Sequence, residues 1–248
     1  MACGRHGCYA PQALADLYKG EQQKNGDYCL LKGLKHTHVQ YDQGCVFLYD
    51  IVCQYIVYIL ERIGHHLPPG LVIDAGIGLF HVHAHKDECF FRFAPTFIPG
   101  TGIVAGEILE SLWSTLNSIS PTARTATLAH RAEILDDHTT DSNHKKMLGM
   151  VPSLCRTYRH AVDMLEHAKT YYEKLTEDAG VTAVGKWTDD IQMAENDRRK
   201  DVKAMDIYAA KIEKSPSDIR QQPPKTPVTP VSPLVSWMEL SLGVEEKQ

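Results

Sequence analysis

An apolar run that ends on one acid opens the chemistry of this chain. Residues 44–53 read Gly-Cys-Val-Phe-Leu-Tyr-Asp-Ile-Val-Cys. Val46 to Tyr49 is short, β-branched and aromatic, which predicts a buried strand. Ile51 to Ile63 then spaces its apolar residues like a helix. A carboxylate at that junction, Asp50, sits on a rigid element and points into a cleft, where it could hold a divalent cation. The competing reading is that Asp50 caps the helix, since Asp is a favoured N-cap. Two further acids, Glu107 and Glu110, lie three apart on a helix predicted over Ile103–Asn117 and share a face. They could equally form a solvated face with Trp113 buried beneath it.

The second constellation is soft. His81, His83, His85 and Cys89 fall within nine residues. On a helix His81, His85 and Cys89 share one face; on an extended chain the three histidines do. Imidazole with thiolate suits zinc, which takes four ligands in a structural site. Cys53, Cys3 and His6 are candidates for the fourth. The alternative is a His-rich helix packed on the sheet, with Cys89 as a small buried apolar residue.

Three regions must position these groups. Residues 1–150 read as mixed α/β. Pro68-Pro69-Gly70 marks a turn, Leu71–Phe80 a further strand, and Pro95–Gly102 a loop leading into the glutamate helix. Residues 151–214 are polar and helical, broken into two helices at Gly180 and Gly185. They form either a hairpin on the core or a short coiled coil for a partner. Residues 215–248 are a tail. Its Pro/Ser/Thr-rich part, Ser215–Pro233, is expected to be extended or disordered. Thr226, Thr229 and Ser232 there precede prolines as phosphosites would, and Val235–Leu242 could dock back.

Composition narrows the class. The net charge of −5 leaves no overall basic field for DNA, so any nucleic-acid contact would need local patches such as Lys145-Lys146 or Arg198-Arg199-Lys200. Seven cysteines, an odd number without framework spacing, argue against a secreted disulfide scaffold. No leader segment and no apolar run of membrane-spanning length is visible, so an intracellular protein without a membrane partner is expected.

Six motifs in order carry a resemblance. They are Cys3–Gly7, Leu17–Tyr28, Tyr49–Gln54, Phe80–Cys89, Gly106–Trp113, and Leu135–His138 with Asp141–Asn143. Over these residues the chain resembles the KDZ (Kyakuja–Dileera–Zisupton) transposases in the form found in mushroom-type fungi. The resemblance implies an α/β, ribonuclease-H-like core of the DDE type, here truncated, with a mostly helical C-terminal region. Two Asp and one Glu would hold two Mg²⁺ ions. Asp50 would be the second Asp, and the Glu would be Glu110 or Glu107. Glu110 is preferred for its Glu110-Ser111-Leu112-Trp113-Ser114 context, shared with the related hAT transposases. The family's first Asp precedes the Cys3–Gly7 motif, so none is expected in this chain, and Ala105 stands where the family usually has an acid. Because the missing carboxylate would bridge both ions, a remnant or domesticated fragment without catalysis is expected. The alternatives are an active nuclease in a longer form, with Asp74 the first candidate to replace the lost acid, or a zinc-stabilised binding module. DNA at transposon ends, a homo-oligomer and a nuclear location follow from the resemblance alone.

Overall fold

The computed structural model describes residues 1–209, except Tyr18, His38, residues 40–43 and Ile103. The Pro/Ser/Thr-rich tail, its Thr-Pro and Ser-Pro pairs and Val235–Leu242 lie outside the described residues. In the described part helices predominate around one small sheet. Strands β1 (Cys45–Leu48) and β2 (Ile73–Gly76) run parallel, with Cys45 opposite Ile73 and Leu48 opposite Gly76. Parallel strands need a long crossover. Here it is the helical stretch α2 (Val52–Tyr55), a 3₁₀ turn over Ile56–Tyr58, and α3 (Ile59–Ile63).

Apolar spacing explains the packing. Val52, Tyr55, Ile59 and Ile63 recur at helical intervals, and all four are buried. Helix α1 (Gln23–Thr37) adds Leu30 and Leu34 to the same core, with Ile77, Val82, Cys89 and Phe93. One ion-pair network lies at its edge. The Tyr55 hydroxyl donates to Asp27 at 2.7 Å, and Arg62 donates to both Asp27 carboxylate oxygens at 3.0–3.3 Å and to the Tyr55 carbonyl at 3.1 Å.

After β2 come α4 (Leu79–Val82), α5 (Asp87–Phe93), α6 (Ile108–Leu116) and α7 (Ser120–Thr125). Then α8 (Leu128–Ala179) runs unbroken for 52 residues, and α9 (Val181–Asp197) comes after it. A 3₁₀ segment, Val202–Tyr208, closes the described chain. It buries Met205 against Phe91 and Ala194, and Asp206 accepts from Arg92 at 2.6–2.7 Å.

Several expected boundaries move. Strand β1 begins and ends one residue early. The stretch Leu71–Phe80 is a strand only as far as Gly76, because Leu79 begins a helix. The glutamate helix starts at Ile108, not 103, since Gly102 and Gly106 hold positive φ of 69° and 82°. Residue 150, where the α/β part was expected to end, lies inside α8. Gly180, with φ 79°, does end that helix, whereas Gly185 is interior to α9. Thr127 caps α8 by accepting from the His130 N–H.

Candidate functional site

Asp50 stands two residues beyond the C-terminal end of β1 and does not cap α2. That helix is capped at Ile51, without a side-chain bond. The Asp50 carboxylate instead faces His81, whose Nε2 lies 3.7 Å from Asp50 Oδ2 and 3.9 Å from Glu110 Oε1. On the other side of the ring, His81 Nδ1 lies 2.9 Å from Glu107 Oε2. Three acids from two separate stretches thus surround one imidazole.

The two glutamates differ in freedom. Glu107 also accepts from the Phe80 N–H at 3.0 Å, satisfying an otherwise open donor of the α4 N-terminus. Its carboxylate packs over Gly78, where an added Cβ would meet it. Gly106 allows the approach, because its own added Cβ would come within 3.0 Å of Gly78 Cα. Leu79 N–H donates to Ala105 O at 2.8 Å and locks the two segments together. Glu110, on the first turn of α6, is 54% exposed, as Asp50 is at 53%, while Glu107 is 21% exposed. Burial opposes protonation of His81, but the Glu107 hydrogen bond and the Asp50, Glu107 and Glu110 charges outweigh it, so its pKa is raised. Trp113, which the solvated-face reading would bury, is 45% exposed; Leu112 is the residue of α6 that goes inside.

The histidine–cysteine stretch is neither one helix nor extended. It forms α4, a turn at His83–Lys86, and α5. This separates residues that the four-residue step would have joined: His81 goes to the acids, and His85 with Cys89 meets Cys53. Cys53 Sγ and His85 Nδ1 are 3.5 Å apart, and the three ligand atoms lie within 4.8 Å of one another. Zinc bonds of about 2.3 Å to sulfur and 2.0–2.1 Å to nitrogen, at the tetrahedral angle, put S and N about 3.6 Å apart. The residues present therefore fit zinc, with one position left for water or another donor. Burial first, and then the neighbouring Cys53 sulfur, raise the Cys89 pKa, so a metal would have to displace its proton. Cys3 and His6 pair with each other at 3.3 Å and are not in this group. His83 is exposed against the Phe90 ring, 5.2 Å between centroids.

Other groups prove occupied. Asp74, on β2, accepts from Arg199 at 3.0 and 3.2 Å. Arg198 is 7% exposed and donates to the Phe97 and Arg92 carbonyls; burial lowers its pKa. Lys200 pairs with Asp197 at 3.4 Å. Arg198 and Arg199 thus brace the fold, while Lys200 stays exposed. Asp27 and Arg62 escaped sequence reasoning, although Asp27 lies inside the Leu17–Tyr28 motif; the signal was an acid amid the apolar spacing of α1.

A family model described as Kyakuja-Dileera-Zisupton transposase matches residues 1–143. The chain belongs to the KDZ transposase family. It is therefore a transposase-derived protein, and the match covers both clusters. No curated protein and no solved structure matches the chain. Among the described residues, no helix of this KDZ protein is long and apolar enough to cross a membrane. All seven cysteines are free thiols.

Proposed function

We propose that this KDZ protein is a transposase remnant that keeps a one-cation vestige of a DDE centre and does not cleave DNA as it stands. The observation that carries the reading is that Asp50 and Glu110 both face His81 Nε2, at 3.7 and 3.9 Å, beside the His81–Glu107–Glu110 group whose ligand atoms lie within 4.8 Å of one another. On this reading β1 and β2 belong to a ribonuclease-H-like sheet, Asp50 and Glu110 are the free ligands, and Glu107 is the acid that orients His81. Strand cleavage by two metals needs both attacking and leaving oxygens to be clamped. Two exposed carboxylates can take one Mg²⁺ weakly, because that ion keeps several waters and wants octahedral oxygen ligands. Asp74 is paired with Arg199 and is not in the His81–Glu107–Glu110 group. DNA as partner and a nuclear location rest on the family; a fungal origin rests on the resemblance to the mushroom-type form, and an active nuclease in a longer form of the chain is the alternative.

The test is plasmid nicking with Mg²⁺ or Mn²⁺, run beside Asp50→Ala and Glu110→Ala. No metal-dependent nicking is expected. Nicking that both substitutions abolish would overturn the remnant reading.

A second reading has its own observation. The Cys53–His85–Cys89 group supports a zinc-stabilised module that binds nucleic acid or an intact transposase, with Zn²⁺ as a structural ion joining α2 to the α4–α5 turn. Metal analysis of the purified chain should find one zinc per protein, reduced in Cys53→Ser and His85→Ala. A metal-free protein of unchanged stability would dismiss this reading.

A further inference from the structure

The C-terminal half of α8 carries a seam that the described chain does not cover. From Met147, alternating steps of four and three fall on Val151, Leu154, Tyr158 and Ala161. They continue through Leu165, Ala168 and Tyr172 to Leu175. This is a 3.5-residue period sustained for four heptads, and it keeps one stripe facing a neighbour only if that neighbour is a supercoiled helix. The outward positions are charged or polar, among them Arg156, Asp163, Glu166 and Glu173. The seven larger seam residues are 42–72% exposed, and helix α8 has no buried residue.

We infer that a second copy of this chain covers the seam, antiparallel, about a two-fold axis at residue 163. Side-chain volumes decide the direction. Antiparallel pairing about that point sets Tyr158 against Ala168 of the other copy, Leu165 against Ala161, and Leu154 against Tyr172. Large meets small in the four central layers, as a close-packed interface requires. Parallel pairing would stack Tyr158 on Tyr158 and Ala161 on Ala161, leaving alternate clashes and voids. At the axis, Val162 meets its own copy on one flank and Met164 on the other, the self-complementary contact that a two-fold demands. Both are only partly exposed, at 43% and 42%. No like charges face each other along the flanks: Lys169 falls beside Cys155, and Asp178 beside Met150.

Seam and flank together expose on the order of 1,000 Å² per copy, so burying most of it would reach the ~800 Å² per partner of a standard specific interface. The base of the seam borders a groove of about 780 Å³, lined by Leu154, Tyr158 and Ala161 on one side and Arg5, Val104 and Ile108 on the other. In that register Leu165, Ala168 and Tyr172 of the second copy would lie along it.

The test uses the full chain. Light scattering at micromolar concentration should give twice 27.8 kDa. Ala161→Glu with Leu165→Glu should give a monomer of unchanged helix content by circular dichroism, since both positions lie on the exposed, unburied stretch of α8. Under mild oxidation, Lys169→Cys should form an intermolecular disulfide with the native Cys155, mapped by mass spectrometry. A wild-type monomer would overturn the pairing. So would a dimer that survives the double substitution, or cross-linking of Tyr158→Cys to itself in place of the Cys155 link.

Discussion

Replacing Asp27 should loosen the whole strand-to-helix junction that carries Asp50 and Cys53. Tyr55 is fully buried and gives its hydroxyl to Asp27 at 2.7 Å. Arg62 adds two nitrogens at 3.0–3.3 Å. In Asp27→Ala the hydroxyl is left unpartnered in the core, which costs about 2 kcal/mol. The guanidinium loses its counter-charge, but it is 22% exposed, keeps the Tyr55 carbonyl, and stays 4.7 Å from that ring's centroid. Its share is therefore about 1 kcal/mol, well short of a fully buried broken pair. The total of about 3 kcal/mol corresponds to a fall of roughly 6–12 °C in melting temperature for a chain of this size. Tyr55→Phe removes one bond to a charged acceptor and leaves Arg62 paired with Asp27, so about 1.5 kcal/mol is expected. Urea unfolding of both variants and of the double mutant measures the three costs with one unchanged slope. The double mutant should cost less than the two singles combined, because one bond is shared. Asp27→Ala costing under about 1 kcal/mol, or strict additivity, would refute this account of the network.

Zinc at a hundredfold excess over its dissociation constant should stabilise the chain by about 2.7 kcal/mol, and Cys89→Ser should remove the effect in thermal melts. Binding should release about two protons per zinc at neutral pH, read with a dilute indicator, since thiols bind as thiolates. Gly78→Ala should push Glu107 off the Phe80 N–H and cost about 1–3 kcal/mol. The His81 pKa, followed by NMR, should then fall toward that of an ordinary histidine; an unmoved titration would show that Glu107 does not hold it up. The Asp206 pKa is lowered by its hydrogen bond to Arg92. Its stabilisation is present above the unfolded value near 3.9 and is lost as pH falls through the folded pKa. Asp206→Asn should therefore cost a little at neutral pH, below about 1 kcal/mol because Asp206 is 41% exposed, and nothing near pH 2.

The α/β character, the strand before Asp50 and the helical stretch after it were legible, because β-branched runs and helical apolar spacing act locally. The break inside the histidine–cysteine stretch was not. Its four-residue step is perfect for a helix, yet the Gly78–Gly106 approach and the Leu79 bond to Ala105 come from a segment nearly thirty residues away. That long-range contact sends His81 to the carboxylates and leaves His85 and Cys89 to Cys53. Naming Cys53 as a fourth zinc ligand rested on its motif; its place beside His85 comes from the tight turn that starts α2. Within the basic triplet only Arg198 turns inward; nothing local tells that the Phe97 and Arg92 carbonyls wait for it, or that Asp74 waits for Arg199.

Asn143 completes the N-terminal segment in a way that bears on time. Its side chain accepts from the Tyr9 N–H at 2.7 Å and donates to the Tyr9 carbonyl at 3.0 Å, as a neighbouring strand would. The two residues are 134 apart in the chain. At about 5–20 residues per second on a ribosome, the segment around Tyr9 waits roughly 7 to 27 s for its partner to be made. During that interval Tyr9 and Ala13, both buried later, face the nascent-chain environment bare. A holdase or a neighbouring nascent chain has that window in which to engage them, and Asn143→Ala, which removes both bonds, would weaken its closing after synthesis ends.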